Sequence, residues 1–419
     1  MKINSILLLL FSIQAINLNA QEYCVSTHAG TGATGYVDGI TYNAQFNRPS
    51  SLCFDSLGNM FVADWGTHTI RKITPAGIVS TLAGNGSAGF TNGTGTGATF
   101  NKPSYVELDP ATGDIYVIDI GNECIRKVTQ SGVVTTFAGT GVAGYLDGPA
   151  ASAQFNALAG MVMDANGNFY VCDRNNNRIR KISSSGTVTT VAGDGTMGFQ
   201  DGSALSAKFN MVTDIDMDSQ GILYIADRDN DMIRVFDPVL NTVSTYAGNG
   251  ASSSVDGSLT SCSFNAPRGI FVNEYDDIYV ADQNGNKIRL ISGNSVTTIA
   301  GTGSAGFQDG PGDYAQFNLP WDVAYFQGII YVAGDMDNRI RKIVKKFSPD
   351  AITEYENKWK FNVFPNPSSV NLFIQLLNGE NISAAEIDIY SITGQLIYTE
   401  YIGLLAQGTI VEINLKANA

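Results

Sequence analysis

Five aspartates stand seven residues ahead of an arginine: Asp64 and Arg71, Asp119 and Arg126, Asp173 and Arg180, Asp227 and Arg234, Asp282 and Arg289. A sixth arginine, Arg341, has Gly334 in the aspartate's place. Carboxylate and guanidinium at a fixed spacing invite a catalytic reading, but their recurrence argues for architecture. Asp accepts hydrogen bonds from turn N–H groups and from Arg, so a half-buried guanidinium stays paired. These eleven residues are assigned to the scaffold.

Chemistry is expected where the repeats differ. Three positions vary in each unit while the frame around them does not. The residues beginning the first strand are Ser51, Tyr105, Gly160, Asp214, Gly269 and Asp322, and those just before them are Ser50, Ser104, Ala159, Thr213, Arg268 and Trp321. The residues after the aspartate slot are Trp65, Ile120, Arg174, Arg228, Gln283 and Asp335. Asp214, Asp322, Arg268, Arg174, Arg228, Trp65, Trp321 and Tyr105 are expected to gather at one mouth of a central channel. Carboxylates, guanidiniums and aromatic rings around a concavity suit a sugar, a peptide or another small polar ligand. Asp214 and Asp322 are also the candidate metal ligands.

Histidine is almost absent, with only His28 and His68, so neither a histidine-held zinc nor a Ser/His/Asp set can be assembled. His68, in the turn after Asp64, is read as a solvated turn residue. Cys24, Cys53, Cys124, Cys172 and Cys262 are odd in number and include no CxxC pair, and are read as unpaired thiols acting as small apolar residues. A glycine-rich loop recurs as Gly-x-x-Gly-aromatic-x-Asp-Gly, with Asp38, Asp147, Asp201 and Asp309. No helix follows it, so it is no phosphate cradle. Its aspartates leave Ca²⁺ open as a ligand, and no other cofactor is expected.

The elements that position these residues come from a repeat. An Ala-Gly pair recurs at Ala29, Ala83, Ala138, Ala192, Ala247 and Ala300. Seventeen residues after each alanine stands a Phe followed by Asn: Phe46, Phe100, Phe155, Phe209, Phe264 and Phe317. Each unit contains four runs of about five residues rich in Val, Ile, Thr and Tyr between Gly and Asn turns, which is the pattern of antiparallel strands. Six such units predict an all-β, six-bladed propeller over residues 21–346. The sixth unit ends after its third strand, and the missing Val-x-Thr-x-Ala-Gly run stands at Val25–Gly30. The N-terminal strand is therefore expected to close the last blade.

The recurring pattern G-x-x-Y-V-A-D-x-x-N-x-x-I-R-K resembles the NHL repeat family, over about 320 residues. After a linker at 347–360, Phe364-Pro365-Asn366-Pro367-Ser368 and the Ile389-to-Gln395 segment resemble the C-terminal sorting domain of the type IX secretion system of Bacteroidota. A small β-sandwich-like domain over 361–419 is implied, with the secretion machinery as partner. The family continues with a further strand beyond the point where Asn414–Ala419 stands here. The domain is expected to be incomplete, with an open strand edge and loose packing.

Residues 1–20 read as a signal peptide, with Lys2 ahead of an apolar run too short to span a membrane. Lys and Arg number 25 against 39 Asp and Glu, a net charge of −14 that repels nucleic acid. No later run is long enough for a membrane span. Three functions remain open: a monomeric, exported, non-enzymatic propeller binding carbohydrate or protein; a metal-dependent hydrolase or lyase resembling lactonase propellers; and a pure scaffold.

Overall fold

A computed structural model describes residues 23–334 and 336–345, and the backbone of five strands between residues 360 and 414. The signal peptide, and the linker up to residue 359, lie outside the described residues.

Six antiparallel sheets form a ring. In blade 1 the order from the channel outward is Pro49–Phe54, Met60–Asp64, Thr69–Ile73, Ile78–Ala83 and Gly39–Ile40. The inner strands of blades 2 to 6 are Pro103–Leu108, Leu158–Met163, Val212–Met217, Pro267–Val272 and Pro320–Phe326. Each inner strand packs on the next, and Pro320–Phe326 returns to Pro49–Phe54. The repeat phenylalanines are the wedges between blades: Phe46, Phe100, Phe155, Phe209 and Phe264 are wholly buried and Phe317 nearly so. Large aromatic side chains removed from water supply much of the energy that holds one blade to the next.

Blade 6 takes its fourth strand from the chain's start. Tyr23–Ala29 runs antiparallel to Ile340–Lys345, with Val25 opposite Ile343 and Thr27 opposite Arg341. His28 in this strand meets the Tyr331 ring edge-on at 5.1 Å, a packing role.

Each sheet has five strands rather than four. The extra outermost strand is two residues long and comes from the glycine-rich loop, as Gly39–Ile40 pairs with Val79 and Ile78. Asp38 explains it. Its carboxylate accepts from Arg71 Nη2 at 2.6 Å and from the Thr81 backbone N–H at 3.1 Å, drawing the loop onto the blade's edge. Asp147, Asp201, Asp256 and Asp309 do the same for Arg180, Arg234, Arg289 and Arg341, and Asn92 does so for Arg126. The loop carboxylates considered for Ca²⁺ thus already hold guanidiniums.

The scaffold pairs form as expected. Arg71 Nη1 donates to Asp64 at 3.1 Å, and the other oxygen of Asp64 accepts the Asn47 N–H at 2.8 Å. The same set recurs at Asp119, Asp173, Asp227 and Asp282 with their arginines. All six arginines are wholly buried. In blade 6, Asp337 stands in for the absent aspartate, 3.6 Å from Arg341.

His68 keeps its place in the turn, partly exposed, and also reaches the next blade. It sits in left-handed backbone at φ 58°, and its Nδ1 accepts the backbone N–H of Lys102 in the next blade at 2.9 Å. Glu123, Asn177, Asp231, Asn286 and Asn338 make the same bond around the ring, to Ala157, Met211, Ala266, Leu319 and Arg48. The position is a latch between neighbouring blades.

Cys53, Cys124, Cys172 and Cys262 are free thiols. In the C-terminal segment, Lys360–Phe364, Asn371–Asn378 and Ile410–Asn414 form one sheet and Ile382–Tyr390 with Leu396–Leu405 another. The looseness expected of this segment concerns side chains outside the described residues. Among the described residues no helix is long and apolar enough to cross a membrane.

Candidate functional site

Every inner strand begins with a bulge. In blade 1, Pro49 faces Asp64 and Ser51 faces Ala63, so Ser50 is an extra residue without a partner in the ladder. Ser104, Thr213 and Trp321 are extra in blades 2, 4 and 6. In blades 3 and 5 the shift falls across Ala159-Gly160 and Arg268-Gly269. A bulge re-aims its side chain, and these bulges turn residues of six strands toward one end of the channel.

A cavity of about 370 Å³ opens there, and seven of the eight expected residues line it: Trp65, Tyr105, Arg174, Asp214, Arg268, Trp321 and Asp322. Arg228 does not; it pairs with Asp229 at 2.6 Å, near enough to Arg174 for the two charges to repel. Two cations were missed. Lys102 lines the cavity with its ammonium 4.8 Å from the Trp65 ring. Arg48 lies 4.4 Å from the Trp65 ring and 5.6 Å from Trp321, and Arg268 closes the row 3.4 Å from Trp321. Arg48 and Lys102 follow the Phe-Asn pair, where the other blades carry Ala157, Met211, Ala266 and Leu319. That contrast was the signal in the sequence.

Asp214 and Asp322 are bound up with the strands. Asp214 accepts the N–H of Ile215 and, from the next blade, that of Ile270, each at 2.9 Å. Asp322 accepts from Val323 at 2.8 Å and from Leu52 of blade 1 at 3.2 Å. An inner strand has one edge with no neighbouring strand, and its N–H groups need acceptors. The glycines beside them make room. A Cβ on Gly160 would lie 1.9 Å from Asp214 Oδ1, and one on Gly269 would lie 2.6 Å from the Asp322 Cα. Each oxygen of both carboxylates thus accepts a backbone N–H. Among the described residues, no group of three His, Cys, Asp or Glu side chains could hold a metal ion.

Below them the channel widens into a second cavity of about 400 Å³, lined by Cys53, Glu107, Asp216, Phe271, Tyr325 and others. Tyr105 and Asp322 line both cavities, so they form the partition. Glu107 and Asp216 repeat the edge-capping of the upper carboxylates, accepting from Met163 at 3.3 Å and Val272 at 2.6 Å. Burial pushes Asp216 and Asp322 up to about 7. Burial, and then the charge of Asp322, raises Asp214; burial, and then Asp216, raises Glu107.

The NHL repeat family matches residues 46–73 and 155–182, and the secretion system C-terminal sorting domain matches 362–418. The chain is a six-bladed NHL propeller with a type IX sorting domain. The NHL propeller is thereby an extracellular or cell-surface protein that engages the secretion machinery.

It is 28% identical over 281 residues to "Protein SUPPRESSOR OF QUENCHING 1, chloroplastic" of Arabidopsis thaliana, covering 63% of this chain and 27% of the relative. To human "NHL repeat-containing protein 2" it is 28% identical over 296 residues, covering 61% and 40%. The NHL propeller thus spans well under half the length of these relatives. Among solved structures, an auxiliary nutrient binding protein from Bacteroides thetaiotaomicron has a TM-score of 0.58 at 21% identity, covering 77% of this chain and 76% of its own. A protein of unknown function from the same organism has a TM-score of 0.61 at 17% identity, with the same coverage. These likenesses establish the fold.

Proposed function

We propose that the NHL propeller is a non-enzymatic, extracellular binding protein that takes a small polar ligand in its upper cavity. The observation that carries this is the convergence of guanidiniums, indoles and a phenol from five blades on one concavity of about 370 Å³. The volume suits a sugar unit or a small acid rather than a protein surface. The nutrient-binding description of the Bacteroides thetaiotaomicron protein that shares the fold points the same way. A lactonase-like hydrolase would need open carboxylates for its metal, and Asp214 and Asp322 already cap strand edges.

Two of the three tryptophans, Trp65 and Trp321, line the cavity, so their fluorescence reports on it. A library of saccharides and organic acids should yield a saturable change that Trp321→Ala abolishes. A ligand whose affinity survives both Trp65→Ala and Trp321→Ala binds elsewhere and would overturn the proposal.

A further inference from the structure

The upper cavity is cationic within an acidic chain. Lys102, Arg174 and Arg268 line it, Arg48 lies against both of its indoles, and the charge of Arg228 is felt at Arg174. Its two carboxylates face the strand edges, with both oxygens of each accepting backbone N–H groups.

Each indole carries two cations: Arg48 and Lys102 at Trp65, Arg48 and Arg268 at Trp321. A sugar ring stacking on either would compete with a cation already there. The rings hold the cations in place, and a held cation loses less entropy when an anion binds.

The Arg174 guanidinium makes no hydrogen bond or ion pair among the described residues, and its Nε is buried without a partner. Burial and the neighbouring Arg228 both disfavour its charge. Two carboxylates act on it from a distance, with no hydrogen bond to it: Glu123 accepts the Ala157 N–H at 2.6 Å and Asp229 holds Arg228. A half-buried guanidinium in this position calls for an anion. Ser104 lines the same cavity, is 8% exposed, and its Oγ has no partner among the described residues. A buried hydroxyl without a partner has lost its water without a replacement, which a ligand hydroxyl would relieve.

We infer that the upper cavity selects a small hydroxylated carboxylate, with Arg174 pairing the carboxylate and Ser104 a hydroxyl. The inference rests on the proposed binding function and narrows it to one class of ligand. An acidic sugar and an open-chain sugar acid share this chemistry.

The test titrates the full chain with glucuronate, gluconate, glucose and sulfate, following tryptophan fluorescence and calorimetry at low and high salt. Glucuronate or gluconate should bind at least about tenfold more tightly than glucose and than sulfate. Binding should weaken with salt, and Arg174→Gln should weaken it at least about tenfold without lowering the melting temperature. Ser104→Ala should weaken the carboxylates but not sulfate. If glucuronate binds in preference to gluconate the source is a sugar ring, and the reverse order names an open chain. Glucose binding as tightly as glucuronate, with loss in Trp321→Ala, overturns the charge selection and leaves the binding function standing. Sulfate binding as tightly as the carboxylates overturns the hydroxyl's part. An unchanged affinity in Arg174→Gln, or no response to any probe at about 10 mM, overturns the inference.

Discussion

Asp337 occupies the space that Gly334 leaves empty. A Cβ on Gly334 would fall 1.9 Å from Asp337 Oδ1, and Asp337 Oδ2 lies 3.6 Å from the Arg341 guanidinium. The sixth blade has moved its carboxylate three residues along the chain while keeping the buried arginine paired. Arg341 also keeps Asp309, at 2.5 Å.

The replacement is looser than the original. Arg180 is 2.6 Å from Asp173, and both are wholly buried. Asp173→Ala should cost about 3–5 kcal/mol, the usual loss when one partner of a buried pair is removed. Asp337→Ala should cost distinctly less, since the bond it breaks is long. Urea unfolding of the two variants checks this, and equal losses would contradict it.

The buried carboxylates set a direction for stability against pH. Asp216 and Asp322 rise to about 7 in the fold, and Asp64, Asp119 and Asp227 to about 6, in each case chiefly through burial. An unfolded chain releases these protons near pH 4. Between about pH 4 and 7 the unfolded chain therefore holds fewer protons than the folded one, and stability falls as pH rises. Asp216→Asn should remove part of that slope and be about 2 kcal/mol better placed, relative to wild type, at pH 8 than at pH 5. Melting curves that stay parallel across this range would refute the assignment.

The His68 latch works only with a neutral ring, because Nδ1 is the acceptor for Lys102 N–H. Burial, aided by the Lys102 charge, lowers its pKa. A base with a depressed folded pKa contributes stability above its unfolded value, and loses it as pH falls through the folded one. His68→Asn, the residue used in blades 3, 5 and 6, should keep the bond and abolish this acid-side loss, worth about 1 kcal/mol. Amide exchange at Lys102 below pH 6 would report it. Equal protection in wild type and variant would sink the idea.

Cys124, Cys172 and Cys262 are buried, and burial pushes all three thiols up. At pH 8 they should resist iodoacetamide in the native protein and react once it is unfolded. Labelling of any of the three under native conditions would argue against this packing.

The blades were legible because each carries the same markers, from the Phe wedges to the Asp and Arg seven apart. The mouth was legible in part, since seven of eight residues chosen for differing between blades do converge. What remained hidden crosses from one blade to the next. The donors to Asp214 and Asp322, Ile270 and Leu52, lie on neighbouring inner strands, so sequence spacing shows two open carboxylates where the fold has two capped ones. His68 looked idle for the same reason. Arg48 and Lys102 were passed over because they stand in a left-handed turn common to all six blades, which apolar residues fill in the other four.

The strand Tyr23–Ala29 precedes the first blade in sequence and completes the last. Thr27 finds its partner Asp309 across 282 residues of sequence. Until then two complementary adhesive edges coexist on one molecule, one at each end of the propeller. Closing so long a loop is slow, and at high concentration a second chain can offer its own Tyr23–Ala29 to the waiting sixth blade. The seam that closes the ring is thus also where two molecules can exchange strands, and dilution during refolding should decide which of the two is obtained.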